Sequence, residues 1–131
     1  MAISWKTDIG VNHVGAYQVS GKPFAKGNIN ALTATKVEFP KVTRWIYVVN
    51  NSGNDLKLGF SEAGVEGSDY VLIGRKDNQM QQSTVRLEVK VSEIWLSGSN
   101  PVSLVAGLTN IDPARISGSA GPSWSGSSGV G

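Results

Sequence analysis

The chain has 131 residues, 40% of them hydrophobic and 17% charged, with a net charge of +2 and no cysteine. That length gives one domain with a core of its own, and the missing cysteines exclude disulfides and thiolate metal sites. The 12 basic and 10 acidic residues are too balanced and too scattered for a nucleic-acid binder, and no basic cluster carries interleaved aromatics.

No run approaches the roughly 18 apolar residues of a membrane span. The N-terminus lacks the basic-then-apolar order of a signal peptide, so a soluble chain made without export is expected. The charged share lies below the usual share of about 25%. A surface filled instead by uncharged polar residues suits repeated protein contacts.

Residues 1–15 have no clear period and read as an extended N-terminal arm containing Trp5 and the single histidine, His13. Ala16 to Ser20 is a short strand candidate, closed by Gly21-Lys22-Pro23. Pro23 lacks a ladder donor, so this stretch is an edge or a turn. Phe24 to Ile29 and Thr33 to Phe39 are the next strands, the latter with Thr35, Val37 and Phe39 on one face and Pro40 as its stop.

Val42 to Asn50 alternates most clearly. Val42, Arg44, Ile46, Val48 and Asn50 share one face; Thr43, Trp45, Tyr47 and Val49 share the other. Bulk on both faces predicts a central strand, with one face in the core and the other under a second sheet or a neighbouring subunit. Asn50 to Asp55 is dense in turn formers, which predicts a hairpin with Leu56 to Ser61. Gly64, Gly67 and Ser68 mark a loop, and Tyr70 to Ile73 a short strand. Gly74 to Ser83 is polar and reads as an exposed loop or a distorted edge.

In Thr84 to Val91, the residues Val85, Leu87, Val89 and Val91 alternate with Arg86, Glu88 and Lys90. Ser92 sits at a bend before Glu93 to Ser97. Gly98-Ser99-Asn100-Pro101 is a turn, and Val102 to Thr109 is a last strand with Val102, Leu104, Ala106 and Leu108 inward. About nine strand candidates with no sustained helical period make an all-β antiparallel fold, a sandwich or a barrel. It spans residues 16–116. Residues 117–131 are a Gly/Ser-rich tail with one large residue, Trp124. The tail is either frayed or an arm that orders on a neighbour, and the arm, anchored by Trp124, is the expectation.

Catalytic constellations are sparse. His13 has no triad partner near it, and a packing or surface role explains it. Glu62, Glu66 and Asp69 cluster after Phe60 and form the best candidate for a hard cation, but their spacing is not that of a calcium loop. Gly64-Val65-Glu66-Gly67 lacks the Lys-Ser/Thr of a phosphate loop. Trp5, Trp45, Trp95, Trp124, Tyr17, Tyr47 and Tyr70 could line a sugar-binding face, though packing explains those within strands. No enzyme activity, cofactor or metal is expected.

Four segments carry a resemblance: Gly15-Ala16-Tyr17-Gln18-Val19-Ser20-Gly21-Lys22-Pro23-Phe24, Phe39-Pro40-Lys41-Val42-Thr43-Arg44-Trp45-Ile46, Leu58-Gly59-Phe60-Ser61 and Ala106-Gly107-Leu108-Thr109-Asn110-Ile111. Across roughly residues 15–111 the chain resembles small jelly-roll-type minor capsid proteins of phages and other aquatic viruses. The resemblance implies a jelly-roll-like β-sandwich and a virion protein that decorates or cements a capsid lattice. Its implied partners are the major capsid protein, other virion proteins and further copies of itself, with no nucleic acid or membrane. Trp5, Trp45, Tyr47 and Trp124 are the partner-contact candidates. A carbohydrate-binding sandwich is the alternative.

Overall fold

A computed structural model of the chain describes residues 22–76, 82–116 and 123–131. Among them are eight strands: β1 (Lys22–Ala31), β2 (Thr35–Glu38), β3 (Thr43–Asn50), β4 (Leu56–Gly59), β5 (Tyr70–Ile73), β6 (Thr84–Leu87), β7 (Glu93–Ser97) and β8 (Ser99–Leu108). One helical turn, α1 (Glu62–Glu66), joins β4 to β5, and a 3-10 turn covers Pro113–Arg115. The fold is an all-β antiparallel sandwich, as the two-residue period predicts. The arm at 1–15, the strand candidate Ala16 to Ser20 and the residues Trp5, Tyr17 and His13 lie outside the described residues.

One sheet has the order β1-β8-β3-β6 and the other β2-β7-β4-β5. The pairings nest: β4 with β5 innermost, then β3 with β6, β2 with β7 and β1 with β8, all antiparallel. β3 is central, as its two bulky faces predict. Pro23 lies on β1, an edge strand, where its missing N–H breaks no interior ladder.

The core lies between the sheets. Ile46, Val48, Leu104 and Ala106 face Leu56, Leu58, Ile94 and Leu96, all at most 1% exposed. Each fully buried Leu or Ile there contributes roughly 1.5–3 kcal/mol of transfer free energy. Val102, Leu104, Ala106 and Leu108 form the inward face of β8, as their spacing predicts. Phe24 meets Phe39 edge to face at 5.3 Å and closes the core beside β1.

The expected hairpin between the strand ending at Asn50 and the one starting at Leu56 does not form. β3 is flanked on both sides, by β8 and β6, and β4 belongs to the opposite sheet. The turn-rich stretch crosses between layers about 10 Å apart. Asn50 holds the crossing: its buried Nδ2 donates to Asn54 O at 2.7 Å and Gly74 O at 3.1 Å, and its Oδ1 accepts from Ser52 N at 3.0 Å.

Gly98 makes the reverse crossing alone. Its φ of +108° suits glycine, and its N–H donates to Ala31 O at 2.6 Å. The expected four-residue turn there shrinks to one residue, because β8 already starts at Ser99.

Alternation in β3 also breaks once. The register shifts between Thr43 and Trp45, which sets Thr43 opposite the inward Leu108. Thr43 is buried; its hydroxyl donates to Val89 O at 2.7 Å and accepts from Val91 N at 3.2 Å. A small satellite core of Val42, Ile111 and Ile116 forms below it.

Candidate functional site: the outer face of the β1-β8-β3-β6 sheet

The second sheet packs on the Ile46–Val48 side of β3, so among the described residues no layer of the chain covers the Trp45–Tyr47 side. Of the two covers expected for that face, the sheet β2-β7-β4-β5 is not the one, because it lies on the opposite side. Ala25, Val105, Tyr47 and Arg86 stand opposite one another in a row across all four strands. Tyr47 is 38% exposed and Val105 39%.

Trp45 is held beside this row. It stands opposite Gly107, and the indole occupies the space a side chain there would need: a Cβ at 107 would lie 2.3 Å from its Nε1. The Arg86 guanidinium lies over the indole at 5.5 Å, and Arg86 also pairs with Glu88 at 3.0 Å. The result is a preformed platform, apolar at Tyr47 and Val105, with a charged pair at one end. Such a platform can stack on an apolar or ring-bearing surface and orient it through Arg86.

Sequence reasoning singled out Trp45 and Tyr47 but missed Gly107, Val105 and Arg86. A glycine inside an alternating strand was the available signal, because it marks close approach of another group.

Within the chain, Trp124 lies against the sandwich itself. Residues 123–131 fold back on the chain's own sandwich. The half-buried indole packs against both the main core and the satellite core, and its Nε1 donates to Lys90 O. Further along, Ser61 Oγ donates to Val130 O at 2.7 Å. Trp124 and Val130 line an open groove together with Phe60, Val89 and Val91. An apolar surface within the tail's own reach is a sufficient physical reason for this placement.

The loop with Glu62, Glu66 and Asp69 is partly helical. Ser61 caps α1, its Oγ accepting from Gly64 N at 2.9 Å, with Glu62 in the first turn. A cap residue followed by an acid was the missed signal. The three carboxylates are exposed. Among the described residues no three acidic, histidine or cysteine side chains gather as a metal site, and no helix is long and apolar enough to cross a membrane.

Trp95 is half-buried on β7 with its Nε1 donating to Glu93 Oε2 at 2.7 Å. It stands opposite Lys36, whose ammonium is pushed above its ordinary value by its hydrogen bond to Glu38.

No protein-family model matches the chain, and neither the curated proteins nor the solved structures give a match.

Proposed function

We propose that this chain is a virion structural protein, a minor capsid component that decorates or cements a major capsid lattice by non-covalent contacts. The carrying observation is the nested order β1-β8-β3-β6 over β2-β7-β4-β5. That order is how an eight-stranded jelly roll is strung, and jelly rolls recur in viral capsid and lectin domains. The uncovered platform of Tyr47, Val105 and Arg86 supports the reading by supplying a contact face. The partner is the major capsid protein, with other copies of this chain beside it, and the location is the assembled particle. The role needs no catalysis, cofactor, nucleic acid or membrane.

The deciding experiment mixes the purified chain with capsids that lack it and images the particles. Regularly arrayed, stoichiometric copies are the expected result. Absence from the lattice at saturating protein would refute the proposal.

A carbohydrate-binding role is the second reading, favoured by the exposed Tyr47 ring beside the Arg86–Glu88 pair. On a glycan array it requires hits that vanish with Tyr47→Ala. No hits alongside lattice binding would exclude it.

A further inference from the structure

We propose that β5 is a self-association edge, along which a second copy pairs its own β5 antiparallel and joins two β2-β7-β4-β5 sheets into one continuous sheet. Sheet edges invite such pairing unless they are guarded. The other three edge strands carry guards. β1 has Lys22, Pro23 and Lys26, and a register break before Ile29 that includes Asn28 at a φ of +54°. β2 carries the Lys36–Glu38 pair and β6 ends in the Arg86–Glu88 pair.

Among the described residues β5 has none of these from Tyr70 to Leu72, and the chain's own contact comes just past its end, where Gly74 N donates to Gln82 O at 3.1 Å. The strand's sequence is Tyr70-Val71-Leu72-Ile73, its pairing with β4 is unbroken, and Tyr70, Val71 and Leu72 are 37%, 43% and 44% exposed. Val71 also lines an apolar groove with Leu58, Phe60, Leu87 and Val89, which a strand added to this edge would cover.

A second copy is the occupant that the charges select. Asp69 precedes the strand and Arg75 follows it. Run antiparallel against itself, Tyr70–Ile73 brings the acidic end of each copy, at Asp69, beside the basic end of the other, at Arg75. The complementarity therefore occurs twice, as an isologous interface requires. The contact is small, well under the roughly 1,200 Å² of a stable interface. Pairing is accordingly weak in solution and strengthened where copies are arrayed.

This inference deepens the homo-oligomer part of the proposed function. Its test uses no capsid, so its failure is separable from failure of lattice binding. Sedimentation of the full chain from about 10 μM to about 1 mM, the range of weak association, should show mass rising towards a dimer. Leu72→Lys should abolish that rise while the melting temperature holds. Asp69→Arg alone should weaken pairing about tenfold through like-charge opposition at both ends, and Asp69→Arg with Arg75→Asp should restore it. A wild-type monomer throughout, or undiminished dimerisation of Leu72→Lys, overturns the edge. A double variant that stays weak overturns the charge pairing between the strand ends.

Discussion

Trp124→Ala separates two accounts of the tail. In the structure the indole spans the main and satellite cores and donates to Lys90 O. Truncating a fully buried Trp costs about 3–5 kcal/mol. Trp124 is half-buried, so about half of that applies. The lost hydrogen bond adds about 1 kcal/mol, partly recovered by water. The expected loss is about 2–3 kcal/mol, or roughly 10 °C in melting temperature for a domain of this size. Trp124→Phe keeps most of the apolar contact and should lose only about 1 kcal/mol. Thermal and urea denaturation followed by circular dichroism measure both. If the tail serves only a neighbour, Trp124→Ala will melt within about 2 °C of wild type and lose lattice binding instead. That outcome would refute the placement of the tail on its own domain.

Asn50→Leu keeps the volume but strands Gly74 O and Ser52 N, while Asn54 O keeps the Ser99 hydroxyl. At about 1 kcal/mol or more per stranded group, the loss should be about 2 kcal/mol by urea denaturation. Gly107→Ala drives a methyl into the Trp45 indole. We expect about 1–3 kcal/mol of destabilisation and a red-shifted tryptophan emission as Trp45 swings into solvent. The Asp112 carboxyl is held below its ordinary 3.8 by its hydrogen bond to Lys41. A depressed carboxylate adds stability above its ordinary value and loses it as pH falls through the depressed one. NMR titration should show the low midpoint in wild type and its return towards the ordinary value in Lys41→Met, with little change in stability because the pair is exposed.

Period-two alternation is written by burial itself, so β3, β7 and the inward face of β8 were legible from Val, Ile and Leu spacing alone. Partner choice between strands was not. Asn50 to Asp55 carries the same turn formers whether the chain reverses within a sheet or crosses to the other, and only the strands already flanking β3 decide it. The shift between Thr43 and Trp45 was equally hidden, because Thr43 suits either face until its hydroxyl finds Val89 O. Of the candidate site, Trp45 and Tyr47 announced themselves as bulk on a second face. Gly107 and Arg86 did not, since their meaning depends on which strands lie beside β3. Trp124 stood out as the one large residue in a Gly/Ser tail, but the core residues it packs against lie far away in sequence.

Folding the tail inward narrows where outward contacts can come from. Among the described residues two candidate surfaces stand out: the platform on one sheet and the β5 edge of the other. They belong to different sheets, so one copy can present the platform to a lattice while its β5 meets a neighbour. The two roles are therefore separable. Tyr47→Glu puts a charge on the platform and should lower capsid occupancy about tenfold or more without changing sedimentation of the free chain. Leu72→Lys should remove self-association and lower occupancy mainly at low protein concentration, where neighbouring copies reinforce one another. Binding isotherms on capsids beside sedimentation of the free chain read both effects. If either variant abolishes both behaviours while still folded, the platform and the edge are one interface and the two-surface arrangement is wrong.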